Sequence, residues 1–290
     1  MILLTLLCWL WLGGTGSRFI LRFHQAGQPQ FVRFLLDVAV AFIPFLCMGL
    51  GLWASLKFIV RMPLRMFTTD SERFRWRLAF CSLGITFICG FCFELIGYLV
   101  NPEGYMLKFT VNWGARLLSL PLLLVLIPMQ TSCEELLFRC LPVRMVFGRL
   151  PSSWGDRIIL CLLSSILFVL PHLANPELLA TTTPFAVLTY YALFGLLAMA
   201  SAVLTGGFEV ALGVHAANNL FASLVCGYPE SPLPGIPLMT NLNTVNSWVG
   251  CLQLLLTFAL IGGILHAARR KSNRLVLGDR ALRNQETDKA

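Results

Sequence analysis

The sequence predicts an all-α fold: a polytopic transmembrane bundle of about 7–8 membrane helices. Three observations carry this. The 290 residues are 57% hydrophobic and only 12% charged, about half the roughly 25% charge of soluble domains. Mean hydropathy is +0.75. The apolar residues are gathered into runs near the ~20 residues that cross a hydrocarbon layer, and Lys and Arg fall in short segments between those runs. The net charge of +8 therefore reads as the bias that orients membrane proteins. Nucleic acid is not an expected partner; the lipid bilayer is.

The elements follow in order. Residues 1–34 hold a short apolar segment, MILLTLLCWLWLG, and a basic linker with Arg18, Arg22 and Arg33. The apolar segment lacks a basic start and a small-residue cleavage site, so it reads as an abbreviated helix or half a span rather than a cleaved leader. Residues 35–267 form the membrane domain, with spans expected at 35–56, 79–100, 113–147, 158–172, 184–205, 208–226 and 248–267. The 113–147 stretch is expected to bend near Pro121 and Pro128, because proline removes a backbone donor. Gly206-Gly207 divides two spans. Residues 268–290 form a polar, basic tail expected to be disordered and cytoplasmic.

Placing the basic loop 57–77 in the cytoplasm puts the turn 148–157 and the tail on the same side, as the charge rule requires. Segments 101–112, 173–183 and 227–247, poor in basic residues, fall on the other. The linker at 18–33 breaks this pattern and leaves the topology of the N-terminal segment open. The arrangement suggests a multi-pass protein of the cell membrane, in the style of a bacterial inner membrane. Ten cysteines lie almost all within apolar runs, where reduced thiols behave as small hydrophobes. The Cys89/Cys92 pair has no second pair and reads as packing rather than zinc binding.

Three short patterns place ionisable or amide side chains where a membrane makes them expensive, about 2.5–3.5 kcal/mol for a charge on insertion scales. The first is Glu134-Glu135-Leu136-Leu137-Phe138-Arg139. On a helix Glu135 and Arg139 stand i, i+4 in the favourable order for an ion pair, while Glu134 points about 100° away. One carboxylate is then neutralised and the other is free to face a cavity, a layout suited to acid–base chemistry. The bland alternative is a solvated surface helix, which the apolar flanks disfavour. The second pattern is Phe168-Val169-Leu170-Pro171-His172 and the third is His215-Ala216-Ala217-Asn218-Asn219. Taken singly, they also fit an interfacial histidine and an interhelical hydrogen bond. Helical rise places Glu134 roughly 15–20 Å from the basic boundary near Arg144, His172 about 22 Å from Arg157 and His215 about 12 Å from Gly207. All three lie inside a ~30 Å layer and can meet in one buried polar chamber, which is an active-site hypothesis.

EExxxR, FxxxH and HxxxN, in this order on apolar helices, resemble the CAAX protease and bacteriocin-processing family of intramembrane proteases, which includes the prenyl-protein endopeptidases. The resemblance covers about residues 113–226. It implies an intramembrane endopeptidase acting on a membrane-associated protein or peptide, CAAX-type or other. Carried over by motif, Glu134 activates a water with help from His172, His215 and Asn219 stabilise the oxyanion, and Glu135 with Arg139 forms an orienting pair. The resembling family is often labelled metalloprotease, and Glu134, His172 and His215 could equally hold Zn2+ with water in an open position. No HExxH is present, and the sequence leaves both mechanisms open. Two other readings remain: a non-proteolytic membrane partner or immunity protein that keeps the fold, and a proton-relay transporter, which the lack of internal repeats disfavours.

Overall fold

The computed structural model describes residues 30–108, 113–243 and 248–287. The first apolar segment and its linker, residues 1–29, lie outside that range. The helices are α1 (Gln30–Ala54, continued as a π-helix over Ser55–Val60), α2 (Leu64–Thr68), α3 (Trp76–Val100), α4 (Trp113–Glu135), a π-helical turn (Leu136–Cys140), α5 (Leu141–Val146), α6 (Trp154–His172), α7 (Pro176–Ala180), α8 (Pro184–Thr205), α9 (Glu209–Leu224) and α10 (Trp248–Thr287). The sequence-predicted helical membrane bundle is therefore the architecture observed. Among the described residues six helical stretches are long and apolar enough to cross a membrane: Phe31–Val60, Trp76–Val100, Trp113–Val146, Trp154–His172, Pro184–Thr205 and Trp248–Ala268.

Four local expectations change. The segment expected to span at 208–226 is a 16-residue helix, about 24 Å long at 1.5 Å per residue, shorter than the hydrocarbon layer. It can be short because it is inside the bundle: α9 packs on α3, α4 and α8, and twelve of its sixteen residues are buried. The 113–147 stretch changes to π-helical bonding at Leu136–Cys140, beyond the α-helical part that holds Pro121 and Pro128. The tail does not end the last helix: α10 runs on to Thr287, because residues such as Leu275, Ala281 and Leu282 favour helix and no proline interrupts them. Finally, the fold carries a small sheet in order β1-β3-β2, with β1 (Tyr105–Leu107) antiparallel and β2 (Cys226–Gly227) parallel to β3 (Met239–Asn241).

The helices approach closely where side chains are small. Ser164 and Ser165 of α6 donate to the carbonyls of Gly195 (3.2 Å) and Ala192 (2.7 Å) on α8, and a Cβ on Gly195 would come within 2.7 Å of the Ser165 backbone. Small residues that let backbones meet, with hydroxyls bonding across, are what lipid-embedded packing favours. Gly206 adopts the left-handed conformation (φ 78°) that caps α8, which a glycine takes at no steric cost. Met48, Leu137, Val143, Leu160, Met199 and Phe208 fill the core near the basic end. Phe168, Phe194, Ala198, Val210 and Val214 form the layer above it.

Candidate active site

The site is built on α4, α6, α8 and α9. Its first component is a fully buried ion pair. Arg139 Nη1 binds Glu135 Oε1, and both side chains are 0% exposed. The i, i+4 spacing read from the sequence holds even though the turn between them is π-helical. The rest of the guanidinium is packed against rings, with its carbon 4.5 Å from the Phe168 centroid and 5.4 Å from that of Phe194. These faces supply cation–π attraction where Nε and Nη2 have no hydrogen-bond partner.

Glu135 also orients His215. Its Oε1 lies 2.7 Å from His215 Nδ1. With Glu135 acting as a carboxylate, only a protonated Nδ1 can make that bond, so Nε2 points the other way. It lies 3.5 Å from Glu134 Oε2. The neighbouring glutamates thus address opposite nitrogens of one imidazole. Phe194 and Phe168 meet the His215 ring edge-to-face at 4.9 and 5.6 Å and fix its plane.

Glu134 differs from Glu135. It lines a cavity of about 660 Å³. Gln130, one turn earlier on α4, donates Nε2 to Glu134 Oε1 at 2.6 Å, while Oε2 has no hydrogen-bond partner. Asn219 donates to Gln130 Oε1 at 3.3 Å and accepts from Asn218 at 3.4 Å. Asn218 in turn accepts from the Tyr190 hydroxyl at 2.9 Å. Gln130 had no place in the sequence patterns. The available signal was a lone amide in an apolar run, four residues before Glu134.

His172 ends α6. Its Nδ1 is 2.6 Å from the Phe168 carbonyl, which can only accept. Nδ1 therefore carries the proton, and neutral Nε2 is an acceptor. Its ring lies tilted between Phe168 and Tyr191, with centroids at 4.5 and 4.3 Å. The Phe168–His172 spacing has a structural basis: one phenyl ring bridges Arg139 and His172.

Glu134, His172, His215 and Asn219 all line the same cavity, whereas Glu135 and Arg139 lie behind it. The far wall holds a second polar group. Glu94 Oε2 accepts from the Tyr105 hydroxyl (2.8 Å) and from Asn241 (2.9 Å), which ties β1 and β3 to α3. Burial, reinforced by the bond to Glu94, pushes the Tyr105 phenol well above its ordinary range, so it stays a donor.

The zinc alternative does not fit this geometry. Among the described residues no three His, Cys, Asp or Glu side chains come together as an ion would require. The bond from His215 Nδ1 to Glu135 would also orient a metal-ligating imidazole, so the misfit lies in the spacing of the side chains alone. The nine cysteines described are all free.

Residues 116–221 match the family described as type II CAAX prenyl endopeptidase Rce1-like. That range contains all seven residues of the three motifs: Glu134, Glu135, Arg139, Phe168, His172, His215 and Asn219. The chain is also 30% identical over 212 residues to the uncharacterized protein YyaK of Bacillus subtilis (strain 168), a match covering 73% of this chain and 69% of that one. The chain belongs to the Rce1-like family. A peptidase role in a multi-pass membrane protein is the assignment this membership supports, with nothing in it that favours a metalloprotease. No solved structure matches the chain.

Proposed function

We propose that the protein is an intramembrane endopeptidase that hydrolyses a peptide bond of a membrane-associated substrate, with Glu134 as the base that activates water. The observation that carries this is the asymmetry of the paired glutamates. Glu135 is locked between Arg139 and His215, while Glu134 faces the cavity with Oε2 free of hydrogen bonds.

A water on Glu134 Oε2 loses its proton to the carboxylate as it attacks the scissile carbonyl. His172 Nε2, an acceptor turned to the cavity by the bond from Nδ1, holds the same water's second hydrogen. The oxyanion needs donors placed before the charge develops. Asn219 has a second amide hydrogen beyond the one on Gln130. His215 offers Nε2–H as an imidazolium, its second proton taken up from solvent before the substrate enters, and the Glu135 carboxylate on Nδ1 stabilises that cation as the acid of a catalytic triad does. Glu134 then returns the proton to the leaving amine, which closes the cycle. Arg139 and Glu135 are positioning residues in this scheme. No step uses a metal.

The test is cleavage of an end-labelled, membrane-anchored reporter peptide by the purified protein in liposomes. Glu134→Gln and His172→Ala are each expected to lose about 10²–10⁴-fold in rate, and a chelator is expected to leave the wild-type rate unchanged. Wild-type rates in both variants would contradict the proposal. A rate abolished by chelator and restored by Zn2+ would replace the mechanism.

A further inference from the structure

The cavity holds a second carboxylate that the mechanism does not use. Glu177 sits on α7, in the loop after His172, and is only 4% exposed, yet it lines the chamber. Its Oε1 accepts from the Tyr191 hydroxyl and from Asn175 Nδ2 at 3.0 Å; Asn175 also donates to the Tyr191 oxygen at 3.0 Å. Oε2 is buried and has no hydrogen-bond partner. A buried carboxylate oxygen left unpaired is costly, and a carboxylate can only accept. Whatever satisfies it must bring a donor.

The surroundings say which kind. The charged residues among the described lining are Glu94, Glu134 and Glu177, with no Lys or Arg. Acidic groups behind low-dielectric walls focus a negative potential. Tyr190, Tyr191 and Tyr228 line the chamber with Glu177, and tyrosine faces attract cations. Tyr191 also links the two groups of interest: its hydroxyl binds Glu177 and its ring meets that of His172 at a tilt, with centroids 4.3 Å apart. A cation held at Glu177 would lie one side chain from the proposed chemistry.

We infer that Glu177 Oε2 is a subsite for a positively charged side chain, lysine or arginine, of the peptide that enters the cavity. This deepens the peptidase reading and rests on it for the word substrate, but its test needs no cleavage. The probes are the end-blocked tripeptides acetyl-Leu-Lys-Leu-amide, its norleucine counterpart and its glutamate counterpart, titrated by calorimetry into the full chain in lipid nanodiscs. The wild type is expected to bind the lysine peptide about tenfold or more tightly than the norleucine peptide, as a charge-assisted bond implies, and the glutamate peptide most weakly. In Glu177→Gln the lysine-to-norleucine ratio falls towards one; in Glu134→Gln, which weakens the potential but keeps the proposed contact, it falls less. Equal affinity for lysine and norleucine in the wild type overturns the inference, as does no detectable binding of either at millimolar concentration. A glutamate peptide that binds as well as the lysine one does the same, without needing any variant to fold. A ratio lost in Glu134→Gln but kept in Glu177→Gln moves the cation to Glu134 and also overturns it. A protein that fails to cleave any reporter yet keeps the ratio would refute the peptidase reading alone.

Discussion

Two groups of carboxylates, one towards the basic end and one around the cavity, hold this molecule's polar architecture, and they are built differently. At the basic end, both oxygens of each acid are satisfied. Glu209 accepts from Arg75 Nε and backbone N on Oε1 (2.9 and 3.2 Å) and from Nη2 on Oε2 (2.6 Å). Asp70 accepts from Arg144 on Oδ1 (2.6 Å) and from the Leu150 amide on Oδ2 (3.0 Å). In the chamber, Glu134 and Glu177 each leave Oε2 without a hydrogen-bond partner, while Glu135 behind it is held by Arg139 and His215. Arg75 and Arg144 clamp elements together: Arg75 also donates to the Thr205 carbonyl and Arg144 to that of Phe67. The difference separates carboxylates that close a fold from carboxylates that face a cavity with an oxygen unspent, and an unpaired buried acceptor calls for a partner.

This contrast predicts a graded series. The largest effect on stability is expected in Arg139→Leu, which leaves Glu135 as a buried charge and should cost about 3–5 kcal/mol, read as a large drop in melting temperature in detergent. Glu209→Gln should cost about 2 kcal/mol through its charged hydrogen bonds while leaving the cleavage rate of the folded protein intact; a lost rate would blur the division between rim and chamber. Gln130→Ala should do the reverse, lowering cleavage about tenfold, the worth of one hydrogen bond of about 1.4 kcal/mol, with little change in melting. Asp70→Asn should be smallest, below about 1 kcal/mol for a partly exposed pair, detectable as a shift that added salt removes.

The sequence carried the chamber's chemistry further than its walls. The spans followed from hydropathy, and the pairing of Glu135 with Arg139 followed from helical spacing, because both are local properties of one segment. Glu177 was not legible. It follows Pro176 in a polar loop, where a glutamate reads as solvated, and its burial depends on Tyr191 and Asn175 arriving from elsewhere. The sheet was equally hidden: strands of two or three residues show no alternation to read. The length of α9 was misjudged because burial inside the bundle looks, in composition, like burial in lipid.

The central claim is that neighbouring glutamates have separate tasks, so the most direct measurement compares Glu134→Gln with Glu135→Gln in the same lipid, recording melting temperature and reporter cleavage for each. The account predicts that Glu134→Gln melts like the wild type and does not cleave, whereas Glu135→Gln melts well below it. A Glu134→Gln protein that cleaves at the wild-type rate would contradict the account.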